Sequence, residues 1–166
     1  LQVGPNPLGG GLPDDALVRD RPPRAEGQQG ELNASSAWFE QCFDLIEADP
    51  ARAHTMAQIR RREVTGADRV LANHCLGTAA SALGLWDDAR SAFGSARDET
   101  PSEEVRTRAR YAALAGNAAL AGGDAEGALT LLGAAGADAR AAADATLGAL
   151  AEIDRARALV ALGRGE

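Results

Sequence analysis

The residues best equipped for chemistry in this chain are two cysteines and two histidines, Cys42, Cys75, His54 and His74. Thiolate and imidazole are zinc ligands, but no pair here has the Cys-x-x-Cys or His-x3-His type of spacing that compact sites use, so no metal site is expected. His74 and Cys75 are adjacent, and on a helix adjacent side chains diverge by ~100°, with no third residue marked to orient the imidazole. A Cys-His nucleophile is therefore not supported. The glycines at 9 to 11 follow no strand and open no helix, and Gly122-Gly123 reads as a helix end, so no phosphate-cradling loop is present. Asn33-Ala34-Ser35 matches a glycosylation acceptor in form, but the serines read better as helix caps and the match is taken as chance. The expectation is a chain with no catalytic residues, no metal and no cofactor, hence not an enzyme.

The elements that must position any remaining function are helices. Aromatic residues are only 4% of a 166-residue chain and much of the apolar content is alanine. Few rings are available to fill a thick core, so close approach of helices must do the packing. Alanine has the best helix propensity, and from Ala67 onward the one proline is Pro101. Strands have little to build on. A formal net charge of −7, with the basic residues scattered among acids, excludes a nucleic-acid surface. All basic side chains are arginine, which reads as the bias of a GC-rich genome. No apolar run approaches the ~20 residues of a membrane-spanning helix. The first residue is Leu1 rather than methionine, for which a removed secretory signal is one explanation.

Residues 1–34, rich in glycine, proline and charge, read as a flexible leader or irregular arm. A helical domain is expected over residues 35–166, beginning with a pair of helices over 35–66. Ser35 or Ser36 is placed as the cap of the first, and Asp49-Pro50 both ends it and starts the second, which runs to about Arg62. Thr65 and Asp68 form an expected capping box before a third helix, about Ala67 to Leu83. Gly84 ends that helix, and a fourth runs from about Trp86 to Glu99 with Asp87 and Asp88 in its first turn. "TPSEE" reads as a start, with Thr100 as cap, for a fifth helix from about Pro101 to Ala121. A last helix is expected from about Asp138 to Leu162.

Two segments, "LGLWDDARSAFGSA" and "AGGDAEGALTLLGAA", align at an offset of 39 residues: Gly84 with Gly123, Ala89 with Ala128, Phe93 with Leu132 and Ala96 with Ala135. A third copy begins 40 residues on, where Ala156 and Gly163 follow Gly116 and Gly123. Two helices per period at fixed spacing is the mark of a repeat architecture. Val105, Ala109, Ala112, Gly116 and Ala119 make a narrow small-residue stripe that lets a neighbouring helix approach closely, with Trp86 and Phe93 filling the seams.

With Leu76-Gly77, Gly84, Ala89, Phe93, Ala96 and Pro101 in register, the chain resembles the tetratricopeptide repeat (TPR) family, over roughly Val70 to the end. Asn73 stands where the family often has tryptophan, and the period exceeds the family's ~34 residues. The resemblance implies a right-handed α-solenoid of antiparallel helix pairs, with repeats over 67–101, 102–137 and a truncated 138–166. In such an array the first helix of each pair lines a concave face that binds a protein or peptide. By resemblance that face carries His74, Thr78, Ser81, Arg110, Asn117, Leu120, Ile153 and Arg157. The paired lysines, arginines and asparagines with which some members grip a terminal carboxylate are not reproduced by His74 and Thr78.

An array of hairpins would bring the helices of Cys42 and Cys75 together. In an exported protein they are expected to form a disulfide, worth about 3–4 kcal/mol by loop closure, and in the cytosol they would be buried thiols. The leading expectation is a non-enzymatic protein-binding scaffold, bacterial and periplasmic or otherwise exported, with a cytoplasmic location as the alternative. A last helix left without cover would expose Ile153, Leu159 and Val160, so the chain is expected to continue or to dimerise there. The competing functions are thus assembly of a homodimer, or recognition on behalf of a longer enzyme whose catalytic domain lies elsewhere.

Overall fold

The computed structural model describes residues 26–164, with side chains from Ala34 onward, and falls into two compact units, Leu1–Ala34 and Ser35–Glu166. Of the expected arm, residues 1–25 lie outside the described residues. Among the described residues all regular structure is helical: α1 Glu26–Ala48, α2 Pro50–Glu63, α3 Gly66–Ala82, α4 Trp86–Glu99, α5 Val105–Ala121, α6 Ala125–Ala141 and α7 Ala145–Ala161. From α2 on, each helix packs against the next, and α5 also meets α7.

Four apolar clusters, each shared by consecutive helices, make up the interior of the second unit. Cys42, Ala57, Cys75, Leu76 and Ala92 join α1 to α4, with Trp38, Phe43, Ile46 and Met56 against them. Val70, Phe93, Tyr111 and Ala115 join α3, α4 and α5. Ala119, Leu132 and Ala158, and beside them Ala112, Ala135 and Ala151, join α5, α6 and α7. The largest fully buried side chains are only Leu132, Asn73, Cys42 and Cys75. Close approach takes the place of bulk. A Cβ on Gly77 would lie 2.7 Å from the Phe93 ring, and one on Gly116 would lie 2.6 Å from Cγ of Leu132. Both contacts pair a glycine on one helix with the large residue at the same place on the next, so the 39-residue repeat is a packing repeat as well as a sequence repeat.

The helix ends show the same periodicity. Gly84, Gly123 and Gly163 follow α3, α5 and α7 with φ of 71°, 85° and 69°. After each, an amide bonds back five residues: Leu85 N to Ala80 O at 2.9 Å, Asp124 N to Ala119 O at 2.9 Å, Arg164 N to Leu159 O at 2.8 Å. This is the Schellman turn, whose left-handed residue is cheapest as glycine. A fourth such turn ends α6, where Asp144 N bonds to Ala139 O at 2.9 Å, but its left-handed residue is Ala143, φ 53°.

Four expectations about helix ends are corrected. The last helix does not run from Asp138 to Leu162, because the Ala143 turn splits that stretch with no glycine to announce it, and position 138 lies inside α6. The first helix begins at Glu26, since Gln28, Gln29, Glu31 and Leu32 are good helix formers; Ser35 is no cap, and its hydroxyl donates to Asp68 Oδ1 at 2.7 Å. Thr100 caps nothing downstream: it is buried at the end of α4, its hydroxyl bonding back to Ala96 O at 2.7 Å, and α5 starts only at Val105. Thr65 occupies the cap position of α3 without a side-chain cap bond. The aspartates do cap: Asp49, Asp124 and Asp144 accept from the backbone N–H of Arg52, Gly127 and Leu147 at 3.0, 2.8 and 3.0 Å.

Candidate functional site

Cys42 of α1 and Cys75 of α3 are joined by a disulfide with a Cα–Cα distance of 6.3 Å. Both are fully buried. The bridge leaves Cys75 no thiolate to offer beside His74, and among the described residues no three His, Cys, Asp or Glu side chains converge on a common point.

His74 lies one residue before the bridge, inside a ring of aromatics. Its imidazole centroid is 5.2 Å from Phe39, 5.4 Å from Phe43, 5.3 Å from Tyr111 and 6.2 Å from Phe93. Burial lowers its pKa from the ordinary 6.5, because the charged form loses its hydration. The Tyr111 phenol is pushed up to about 12, chiefly by burial and then by the Glu104 carboxylate. The two side chains meet at 3.2 Å, Tyr111 Oη to His74 Nδ1. With the neutral imidazole's proton on Nε2, Nδ1 accepts and the phenol donates; with it on Nδ1, the roles reverse.

Of the other residues assigned to the α3 part of the face, Thr78 and Ser81 turn their hydroxyls to their own helix, donating to His74 O at 3.0 Å and Gly77 O at 2.8 Å. This is ordinary i−4 back-bonding. On α5, Leu120 packs against the Ala119–Leu132–Ala158 cluster and Arg110 is exposed. Asn117 donates to Asp154 Oδ2 across to α7 at 2.9 Å, and Arg157 donates to the other oxygen, Oδ1, at 3.1 Å. One carboxylate therefore ties Asn117 and Arg157 together. Ile153, beside it, is 58% exposed.

The structure thus links Asn117 and Arg157 through Asp154, leaves Arg110 exposed on α5 and Ile153 exposed on α7, and packs the half-buried His74 against Phe39 and Phe43 of α1. Sequence reasoning did not find Asp154, although its place three residues before Arg157 is ion-pair spacing on a helix. It also missed Leu114 and Leu150. Leu114 is four residues after Arg110 and three before Asn117, and Leu150 is three before Ile153, so each shares the face of those residues, and both are exposed. Each helix thus sets exposed apolar side chains on the face that carries its guanidinium or amide groups, and the Asn117–Asp154 bond links the two helices there. Such a surface can hold a side-chain-bearing chain by burial and orient it by hydrogen bonds.

No family model, curated protein or solved structure matches this chain.

Proposed function

We propose that the chain is a non-enzymatic scaffold built of TPR-like helix pairs, a right-handed α-solenoid segment whose α5–α7 strip holds a protein or peptide. The observation that carries this reading is that Leu114 of α5 and Leu150 and Ile153 of α7 are exposed on the helix faces that carry Arg110, Asn117 and Arg157, with the Asn117–Asp154 bond linking the two helices. Lone exposed apolar residues are ordinary, but two leucines and an isoleucine beside polar anchors on two linked helices offer surface that binding would bury. The repeated glycine-to-large-residue contact at Gly77–Phe93 and Gly116–Leu132 supports the array. The Cys42–Cys75 bridge supports an oxidising compartment such as the bacterial periplasm. The net charge of −7 supports a protein rather than a nucleic acid as partner.

Affinity capture from the source cell's own extract with the wild type, compared with an Arg110→Glu/Asn117→Ala double variant of unchanged circular dichroism, tests the strip. The expected outcome is a saturable partner retained by the wild type and lost by the variant. Equal capture by both overturns the assignment.

A second reading, homodimeric assembly, is favoured by the outer side of α7, where Val160 is 66% exposed and stands near Ile153 in helical register. Light scattering separates the two: a dimer that Val160→Glu dissociates supports assembly, and a monomer supports the scaffold.

A further inference from the structure

A different seam of the molecule, between α2 and α4, is bridged at one end by His54 and Asp88 but left open at its Arg61 end, where the next seam is closed. Arg90 and Arg97 of α4 pair with Asp124 at the cap of α6 and Asp138 within it; Arg97 Nη2 lies 2.8 Å and Nε 3.2 Å from Asp138 Oδ2. Counted from the helix starts at Pro50 and Trp86, buried Ala53 and Ala57 of α2 fall on buried Ala89 and Phe93 of α4. In that register His54 corresponds to Arg90 and Arg61 to Arg97. Glu99 corresponds to Asp138 through the 39-residue repeat. The equivalent of the Arg97–Asp138 pair would be Arg61 with Glu99, and it does not form. Glu99 is taken instead by Arg69, at 3.1 Å, and by the Asn73 amide at 3.5 Å.

The consequence is a polar cavity of about 260 Å³ in which Arg61, Arg62 and Arg69 face the single carboxylate Glu99. A smaller one of about 180 Å³ shares Arg61 and Arg62 and reaches His54. Among the described residues neither Arg61 nor Arg62 has a carboxylate partner, in a chain whose net charge is −7. Asn73, which lines the larger cavity, has a buried side-chain oxygen with no hydrogen-bond partner, while His54 in the smaller one faces Asp88, its Nε2 lying 3.5 Å from Oδ2. Asn73 is only 1% exposed. A buried acceptor with no protein donor is costly, and a water or a ligand group is what supplies one.

We propose that the α2–α4 seam binds a small oxyanion, a phosphate or carboxylate group, that carries a hydroxyl or amide donor close to it. Arg61 and Arg62 take the anionic oxygens, for which the guanidinium fork is the matching donor. Asn73 Oδ1 takes the neighbouring O–H or N–H. Glu99 repels a second anionic group on that side, so the ligand carries its charge at one end. The larger cavity lies below the ~300 Å³ at which drug-sized sites begin, which fits a metabolite and not a peptide.

The test is titration of the full chain, by calorimetry and by the Asn73 side-chain amide signal in NMR, with inorganic phosphate, glycerol 3-phosphate and glycerate. Saturable binding of glycerol 3-phosphate, tighter than inorganic phosphate and moving the Asn73 signal, is expected if the anion is a phosphate ester. The same behaviour with glycerate assigns a carboxylate. Arg61→Gln/Arg62→Gln should weaken binding about tenfold or more. Both side chains are exposed, and circular dichroism checks that the variant is folded. The proposal is overturned if no probe binds saturably up to ~10 mM, a ceiling of only about 3 kcal/mol. Binding that is unchanged in the double variant, or that leaves the Asn73 signal in place, overturns it equally.

Discussion

At the residue scale, alanine and glycine carry the interior by making room for a few large partners. Phe93 over Gly77 is the clearest case, and Phe93→Ala should cost about 3–5 kcal/mol in a urea melt because the ring fills the only space Gly77 leaves. Gly116→Leu should cost about 1–3 kcal/mol or more from the other side of the equivalent contact, since Leu132 already occupies the site. A loss well under 1 kcal/mol in either would mean that these contacts do not bear the packing. His74 gives the fold a pH dependence of definite sign. Its folded pKa lies below the unfolded 6.5, so the unfolded chain binds the proton first and stability falls as pH drops below about 6.5. Tyr111 acts at the other limit: with its folded pKa raised from 10 to about 12, stability falls as pH rises above 10. Urea midpoints at neutral and mildly acid pH should drop further for the wild type than for His74→Gln, which keeps an acceptor for the phenol and cannot titrate. Parallel drops would remove His74 as the cause.

At the element scale, the four Schellman turns are a natural experiment, since three use glycine and one uses Ala143. A left-handed alanine costs about 1–2 kcal/mol, partly offset by the greater freedom glycine loses on folding. Ala143→Gly is therefore expected to stabilise the protein by up to about 1 kcal/mol, and Gly123→Ala to destabilise it by a similar amount. Thermal midpoints moving in opposite directions would bear this out; a shared direction would show that packing around the turns outweighs backbone conformation. Asp144 follows Ala143 directly and holds two jobs at once, capping α7 through Leu147 N and pairing with Arg106 at 3.3 Å. That double use pins a turn whose backbone is otherwise unfavourable.

For the whole molecule, the consecutive clusters spread stability along the sequence of helices, so the ends depend most on extra ties. The Cys42–Cys75 bridge is such a tie, fixing α1 to α3 across a separation of 33 residues. Reduction should lower unfolding free energy by about 3–4 kcal/mol by loop-closure entropy. The urea midpoint of the wild type is expected to fall with reductant to that of Cys42→Ser/Cys75→Ser, which should itself ignore reductant. A wild type indifferent to reductant would show that the bridge adds nothing to stability. At the other end, α7 is held through Ala151 and Ala158 inward and presents Ile153 and Val160 outward.

What the residues determined unaided was the all-helical class, the 39-residue interval and most of the helix ends, because propensity, aspartate caps and left-handed glycines are local and each acts within a turn or two of its own position. The α4 limits and the ends at Gly84 and Gly123 follow from such signals. Where local signals misled, as at Thr100, Ser35 and Ala143, a contact from elsewhere or a missing glycine had the deciding part. Only the tertiary structure settled which side chains meet: that Asp154 joins Asn117 to Arg157, that the half-buried His74 packs against Tyr111, and that Glu99 chooses Arg69 over Arg61. Those choices depend on distances between helices dozens of residues apart, where a shift of an ångström decides the partner, and no periodicity in one helix records it.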